Sequence, residues 1–564
     1  MLKPTWIIAS ALLTTTVSFA QSAETKEKKV PNNWHLLDKT DSGFNGISLD
    51  KAYQYLRSQK LKSKKVTVAV IDSGIDTLHE DLKPVLWVNS KEIPGNGKDD
   101  DKNGYVDDVH GWNFLGGKDG KNVKVDSYEG ARVYHKLKPV WGNGKSIATD
   151  SLNAEQLKSY TTFKKAEQKV VGEIDEAEIG FLKNLYPSLK EGDSILRIET
   201  AKEEYNGTDL QSNNTTDAKA KRTKGFILNI CKANNSYDIT NKQLLDEIEG
   251  QLRKADAAAA APPTYRKDIV QDDETNFNDK YYGNNDIMAS TPFHGTHCSG
   301  IIGAVRNNEK GMDGVADNVS IMTLRAVPDG DEHDKDIANA IIYAVNNGAK
   351  IISMSFGKDF SPEKKWVDDA FRYAEKKGVL LVHAAGNDAK NIDTADNFPS
   401  PVFEDGKGRA SNVITVGASG DEKNGGLTAR FSNYGKKEVD VFAPGVNIYS
   451  TVPGGNTYGN ASGTSMACPV VSGIAALIME YFPKLNAVQV KSVIEKSVSK
   501  SIDSLNIPGT ENKVMLSEIS KTGGFVNAYE AIKLADELNK KLTHSTEKPK
   551  SVNPAANNNK KQTK

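Results

Sequence analysis

One stretch of the chain reads Val66-Thr67-Val68-Ala69-Val70-Ile71-Asp72-Ser73-Gly74. Its first part is almost continuously apolar and rich in β-branched residues, which is typical of a buried parallel strand. An Asp-Ser-Gly sequence after a strand is usually only a turn. Open α/β sheets, however, place their sites beyond the carboxyl ends of the strands, so Asp72 is also a candidate functional residue.

Further strand and helix patterns alternate along the chain from residue 291. Strands are predicted at 319–324, 350–355, 379–383, 413–416 and 439–442, and helices at 337–346, 363–376 and 487–498; a short amphipathic helix is also predicted earlier in the chain, at 46–56. This alternation predicts an α/β fold with a doubly wound, mostly parallel sheet and helices on both faces. Residues 115–290 are instead rich in Lys and Glu and helix-like, which predicts a largely helical inserted subdomain.

The length of 564 residues suggests one large domain with additions. We predict a signal peptide at 1–20, a short N-terminal segment at 21–45 and a disordered tail at 541–564. The main domain is predicted in two parts, 46–114 and 291–540, on either side of the insertion at 115–290. The charges nearly balance, with 73 basic and 74 acidic residues, so nothing indicates a nucleic-acid partner.

The N-terminus resembles an export signal. It has one early positive charge at Lys3, a short apolar core, and small residues at Ser18 and Ala20. This pattern predicts cleavage after Ala20 and a secreted or periplasmic protein. The apolar run is too short to span a membrane, so no membrane span is expected after signal removal.

The stretch Gly463–Pro469 leads into an apolar run at helical spacing. Proline is tolerated in the first turn of a helix, so Pro469 predicts that Ser465 lies at or just before a helix N-terminus. One interpretation is an ordinary serine cap. The other is a nucleophile placed where free N–H groups and the helix dipole favour negative charge.

Two further residues are candidates for the same chemistry. His294 opens an apolar, small-residue helix, where it could be structural or could reach a neighbouring strand end. Asn387 follows the buried strand at 379–383, where it could be a turn former or could donate its amide to a developing oxyanion. The chain order is then Asp72, His294, Asn387, Ser465.

Four local strings together resemble the signatures of the subtilisin-like serine protease family. They are Val-Ile-Asp-Ser-Gly, His-Gly-Thr-His, Ala-Ala-Gly-Asn and Gly-Thr-Ser-Met-Ala, in the family's order. The resemblance covers about 46–114 and 288–540 and implies a subtilisin-like fold. It also implies that Ser465 is the nucleophile, His294 the general base, Asp72 the residue that orients His294, and Asn387 an oxyanion donor.

The resemblance also implies how a substrate binds. One family segment pairs with an extended peptide as an added strand, and it corresponds here to Ser353, Ser355, Phe356 and Gly357. Another forms the wall of the pocket for the residue before the scissile bond, and it corresponds to Ala384, Ala385 and Gly386. Phe356 suggests an apolar pocket, although an aromatic residue at a strand end could equally be core.

Two calcium sites are predicted. Asp81 and Asn308 correspond to a calcium site that is frequent in the family. Separately, the loop with oxygen ligands at alternate positions resembles an EF-hand but has His110 at the twelfth position; its ligand candidates are Asp99, Asp101, Asn103, Tyr105 and Asp107. A polar turn without metal is the alternative.

The chain has three cysteines, too few for a disulfide scaffold. Cys298 and Cys468 follow His294 and Ser465 closely, and could pair or could be buried free thiols.

The function expected from the resemblance is a secreted or periplasmic serine endopeptidase acting on proteins or peptides, with structural calcium. A catalytically silent scaffold used for binding or adhesion, and an esterase with the same triad, are the alternatives. The insertion at 115–290 would lie near the rim of the site and restrict access or recruit particular substrates.

Overall fold

The computed structural model describes residues 30–546, apart from 143–146, 173, 234–236, 238 and 290–291. The predicted signal at 1–20 and the last part of the predicted tail lie outside the described residues.

The main body is built on one large sheet. The strands are Val66–Asp72 (β1), Gly111–Asn113 (β2), Val319–Arg325 (β3), Ile351–Met354 (β4), Leu380–Ala384 (β5), Val413–Ser419 (β6), Val441–Pro444 (β7), Ile448–Val452 (β8), Thr457–Ala461 (β9), Ser499–Lys500 (β10), Leu505–Asn506 (β11), Lys513–Val514 (β12) and Gly524–Phe525 (β13). Nine of them form a sheet in the order β10-β13-β7-β6-β5-β4-β1-β3-β2, parallel except for β10. Antiparallel pairs β8-β9 and β11-β12 stand apart from it. This sheet confirms the predicted fold class.

The α-helices alternate with these strands and also fill the insertion. They are Lys39–Ser42 (α1), Leu49–Ser58 (α2), Glu129–Trp141 (α3), Ala154–Glu167 (α4), Glu176–Thr200 (α5), Gly207–Ser212 (α6), Ala218–Ala233 (α7), Asn241–Ala259 (α8), Phe293–Gly303 (α9), Asp334–Asn346 (α10), Lys364–Lys376 (α11), Thr464–Tyr481 (α12), Ala487–Lys496 (α13) and Ala528–Thr546 (α14).

Strand β1 lies between β4 and β3 and is buried on both faces. Val66, Val68 and Val70 belong to the core that contains α9 and α12, whereas Ala69 and Ile71 belong to the core beneath α10 and α11. Successive strand side chains point to opposite faces, so a strand covered by helices on both sides must be apolar throughout. This is why the alternation expected of a half-exposed strand is absent from 66–71.

The helical region within 115–290 has a core of its own. Leucine and isoleucine side chains of α5, α7 and α8 pack together, among them Leu189, Ile227 and Ile248. The two ends of the range 115–290 instead pack in the main body. The range directly follows β2, which pairs with β3 at the edge of the sheet. Val123 and Val270 lie in the core beneath α10 and α11. The part that packs on itself is therefore narrower than the predicted insertion.

The C-terminal helix α14 extends to Thr546. The predicted start of the disordered tail at 541 is therefore wrong for 541–546. Leu538 and Leu542 pack against the core that contains α12, so apolar contacts continue the helix beyond the predicted end.

Among the described residues, one helix is long and apolar enough to cross a membrane, Thr464–Tyr481. Its apolar window is 94% buried inside the protein. We interpret it as the central core helix, because the sheet and α9 cover its surface.

Candidate active site

Asp72 is the last residue of β1, at the carboxyl edge of the sheet. Its side chain is buried, with 1% of the residue exposed. The backbone N–H groups of Ala326 and Val327 donate to the Asp72 carbonyl, so the chain leaving β3 holds this strand end in place. A buried carboxylate at this position needs a partner.

His294 supplies that partner from the first turn of α9. Its Nδ1 lies 2.8 Å from Asp72 Oδ1 and 2.9 Å from Oδ2. A Cβ on the next residue, Gly295, would lie 2.1 Å from the Gly74 carbonyl oxygen, so glycine allows this close approach of α9 to the turn after β1. The tautomer with its proton on Nδ1 donates to Asp72 and leaves Nε2 as an acceptor.

The Nε2 atom of His294 is buried and has no hydrogen-bond partner among the described residues. Ser465, the second residue of α12, instead donates its hydroxyl to the Ser355 carbonyl at 3.2 Å. The Cys298 sulfur lies 4.0 Å from His294 Nδ1 and 3.3 Å from the Ser465 carbonyl oxygen. The Cys298 thiol therefore lies between the histidine ring and the serine backbone and contacts both. Asp72, His294 and Ser465 thus lie close together at this edge of the sheet.

Pro469 lies in the second turn of α12, because the helix begins at Thr464. The prediction of a first-turn proline is therefore wrong, although the prediction that Ser465 lies at the helix N-terminus is correct. Proline has no N–H to donate to the carbonyl four residues earlier, which is that of Ser465. The Ser355 hydroxyl (3.0 Å) and the Cys298 thiol (3.3 Å) donate to that carbonyl instead.

Asn387 lies beside the same helix N-terminus. Its Oδ1 accepts hydrogen bonds from the backbone N–H and from the hydroxyl of Thr464, each at 2.9 Å. These two donors fix which end of the amide faces the helix, and its Nδ2 therefore points to the other side. An amide N–H held in one direction suits it to stabilise a developing negative charge.

The predicted substrate segments are only partly surface. The Ser353 hydroxyl accepts a hydrogen bond from Ser472 inside the protein, and Phe356 packs in the core beneath α10 and α11. Phe356 is therefore a core residue, as in the second of the two interpretations of this aromatic position. Ala384 and Ala385 are also buried.

Gly357 and Gly386 lie where a larger side chain would not fit. A Cβ on Gly357 would lie 3.1 Å from the Phe398 carbonyl oxygen, and one on Gly386 would lie 2.4 Å from Asn433 Nδ2. A cavity of about 240 Å³ lies beside them, lined by His383 and Asn397 and not by the glycines. The other polar residues that line it are Asp393, Thr394, Asp396, Ser400, Thr415 and Glu438. This cavity is thus largely polar.

All three cysteines are buried, and none of them forms a disulfide. Cys298 and Cys468 are therefore the free thiols of the second interpretation. Burial raises the pKa of the Cys298 thiol well above its usual value, and the Asp72 carboxylate adds to this increase. The uncharged thiol acts here as a hydrogen-bond donor in the core.

Part of the predicted EF-hand-like loop forms a carboxylate cluster. Asp99 and Asp101 lie together with Glu92, which the sequence analysis missed; one oxygen from each lies within 4.8 Å of the others. Glu92 is 6% exposed, and its Oε2 has no hydrogen-bond partner among the described residues. A buried acceptor without a donor beside two carboxylates fits a hard cation such as calcium.

The remaining residues of that prediction have other contacts. Asp107 accepts the backbone N–H groups of Asn96 and Gly97, and it is not among the three clustered carboxylates. Asn103 lies beside the cluster, because its backbone N–H donates to Asp99 and Asp101, while its Oδ1 accepts the N–H of Tyr105. Tyr105 has a buried ring.

The second predicted calcium site is internally satisfied. Asp81 is fully buried and accepts hydrogen bonds from Asn308 Nδ2 at 2.6 Å and from the Tyr458 hydroxyl at 2.7 Å. Both carboxylate oxygens therefore have donors in this arrangement.

An aspartate, a histidine and a serine at the carboxyl edge of a doubly wound sheet are the constituents of a serine hydrolase. The sequence model of the subtilase family matches residues 63–515. This match spans most of the chain, and the chain therefore belongs to the subtilase family.

The individual curated relatives align with less than half of this chain. The thermophilic serine proteinase of Bacillus sp. (strain AK1) is 41% identical over 208 residues, which are 37% of this chain and 47% of that protein. Thermitase of Thermoactinomyces vulgaris is 37% identical over 245 residues, or 42% of this chain and 74% of thermitase. A solved protease structure from Pseudoalteromonas arctica PAMC 21717 aligns with 90% of this chain and 99% of its own, at 20% identity and a TM-score of 0.43.

Proposed function

We propose that this protein is a serine endopeptidase in which Asp72, His294 and Ser465 act as a catalytic triad. The observation that carries the proposal is the pairing of His294 Nδ1 with both Asp72 oxygens, which leaves a buried Nε2 as an unpaired acceptor. Family membership supports a protease.

The nucleophile must first turn toward its base. Rotation of the Ser465 side chain would exchange its hydrogen bond with the Ser355 carbonyl for one with His294 Nε2. As the hydroxyl oxygen attacks the peptide carbonyl, Nε2 takes its proton and Asp72 stabilises the imidazolium. Nε2 then gives this proton to the leaving amine, and water attacks the acyl-enzyme by the same route.

The oxyanion would be stabilised by two donors, Asn387 Nδ2 and the backbone N–H of Ser465. Thr464 orients the Asn387 amide, and the N-terminus of α12 adds a favourable dipole. Because both donors are held in place before the reaction, little reorganisation is needed when the charge forms.

A peptide is the proposed substrate rather than a simple ester. The backbone of 355–357 follows β4 at the edge of the site and would pair with an extended chain. The side chain before the scissile bond would enter the neighbouring cavity lined by His383 and Asn397, whose polar lining favours a polar residue.

A fluorophosphonate tests this proposal, because it captures only an activated serine nucleophile. We expect the protein to be labelled at Ser465, and we expect Asn387→Leu to react about 10²-fold more slowly because the phosphonyl oxygen uses the same donors. Labelling rates measured by intact-protein mass spectrometry check both. A wild-type protein that folds but is neither labelled nor active on denatured casein would instead be the silent scaffold.

We propose that Glu92, Asp99 and Asp101 hold calcium. A bound calcium ion would offset two of the three carboxylate charges and cross-link the loop between β1 and β2. Chelation is expected to lower the melting temperature by at least about 5 °C.

The same measurement on variants locates the ion. Glu92→Gln should abolish most of the shift caused by chelation, whereas the exposed control Glu422→Gln should keep it; calorimetry with calcium chloride measures the affinity directly. A shift that survives in Glu92→Gln but disappears in Asp81→Asn would place the ion at Asp81 and reject the Glu92 site.

We also propose export through the predicted signal at 1–20. N-terminal sequencing of the mature protein should begin at Gln21, and a retained Met1 would contradict this.

A further inference from the structure

Lys358 lies directly after the segment predicted to pair with substrate, and its side chain is only 2% exposed. Buried lysines require partners. Its ammonium binds Glu129 Oε2 at 2.9 Å, Asp334 Oδ1 at 2.8 Å and the Glu332 carbonyl oxygen at 2.7 Å. These partners come from α3, from the first residue of α10 and from the connection between β3 and α10.

The charges of Lys358 and Glu129 stabilise each other. Burial alone would lower the pKa of Lys358, but Asp334 and Glu129 outweigh it and raise that pKa above its usual value. Burial alone would raise the pKa of Glu129, but Arg132 and Lys358 hold that pKa well below its usual range. Removing one member would leave an unpaired buried charge, which is strongly unfavourable.

The sheet order shows what Lys358 connects. Strand β1 lies between β3 and β4, so the chain segments leaving β3 and β4 lie on either side of Asp72. The backbone of Lys358 also pairs with Phe398 in both directions, at 2.9 and 3.0 Å. The Lys358 side chain thus ties the segment after β4 to the segment after β3, across the edge that carries Asp72.

The beginning of the predicted insertion supports the segment after β3 from its other side. Asp126 N–H donates to the Asp329 carbonyl at 3.0 Å, and Asp331 N–H donates to the Ser127 carbonyl at 3.2 Å. Arg132 then binds Glu129 and the Asp331 carbonyl oxygen, at 2.7 and 3.1 Å. Residues 124–132 therefore hold 329–332 in place through these hydrogen bonds, and Glu129 connects the two segments to Lys358.

We propose that Lys358 is a positioning residue, which together with Glu129 sets the separation of 329–332 and 355–357. On the proposed endopeptidase function, an extended peptide pairs with 355–357, and its residues before the scissile bond lie between these two segments. The insertion then acts on the binding of extended substrates through its first helix, α3. A substrate with a single residue before the scissile bond is too short to lie between the segments 329–332 and 355–357.

The test compares two substrates on one set of variants. Lys358→Met is expected to lower kcat/KM for a tetrapeptide anilide at least about 10-fold more than for a single-residue ester, chiefly through KM. Lys358→Arg should recover part of this loss because it retains the cation. Glu129→Gln, which keeps the side-chain shape, should show the same selectivity to a smaller degree. The exposed control Lys365→Met, on α11, should leave the ratio of the two substrates unchanged.

Thermal unfolding and fluorophosphonate labelling accompany the kinetics. If Lys358→Met does not fold, Glu129→Gln decides by the same ratio. Equal losses on both substrates, or no loss on either, would reject the positioning role while leaving the endopeptidase proposal intact. A wild-type protein without labelling or cleavage would reject the endopeptidase proposal itself.

Discussion

Ser465→Ala is expected to lower kcat for cleavage of denatured casein by about 10³- to 10⁶-fold. The hydroxyl is the proposed nucleophile, so its removal leaves only binding and oxyanion stabilisation. The fold should persist, because the lost hydrogen bond to the Ser355 carbonyl contributes about 1 kcal/mol. Initial rates and the melting temperature, measured on the same preparations, check this expectation.

Ser472→Ala is the matched control for that variant. Ser472 lies on the same helix and is fully buried, and its hydroxyl contacts Ser353 and the Cys468 carbonyl at 3.0 and 3.1 Å. This variant should lose about 1 kcal/mol of stability while kcat changes less than about threefold. If Ser465→Ala retains wild-type kcat, or if both variants lose activity equally, Ser465 is not the nucleophile.

Asp72→Asn is expected to lower kcat by about 10⁴-fold with little change in KM. The carboxylate accepts the proton of His294 Nδ1 with both oxygens. An asparagine can instead donate to Nδ1, which places the imidazole proton on Nε2 and removes the base from the side that needs it. Steady-state kinetics on a peptide substrate measure the loss.

Asp76→Asn provides the control for a buried carboxylate. Asp76 is 3% exposed and accepts the N–H groups of Leu78 and Gly454, at 2.9 and 3.3 Å. Its replacement should affect stability more than kcat, because its oxygens bond to backbone groups of the loops and not to His294. A loss in Asp72→Asn no larger than in Asp76→Asn would show that Asp72 is only structural.

The candidate catalytic residues could be predicted because each follows a strong local pattern. Asp72 follows a strand that is apolar on both faces, and Ser465 begins a helix of small and apolar residues. Such patterns arise because buried positions require apolar residues, whose spacing along the sequence indicates a strand or a helix. The order of these residues along the chain then identified the family.

Local sequence patterns did not predict features that depend on the path of the chain or on contacts between residues far apart in the sequence. Phe356 could not be assigned to pocket or core until the path of the chain after β4 was known. Glu92 carries no motif, and only the folding of its loop brings it to Asp99 and Asp101. The C-terminal helix likewise continues because Leu542 packs on the core.

The sequence by itself therefore determined the six central strands β1 and β3–β7, the presence of helices on both faces and the candidate residues at the carboxyl edge, because periodic burial specifies each of these locally. Only the tertiary structure decided that Ser465 donates to Ser355, that Pro469 leaves a carbonyl for Cys298, and that Lys358 joins the insertion to the edge of the site. These contacts join residues far apart in the chain, and their geometry depends on how the elements pack.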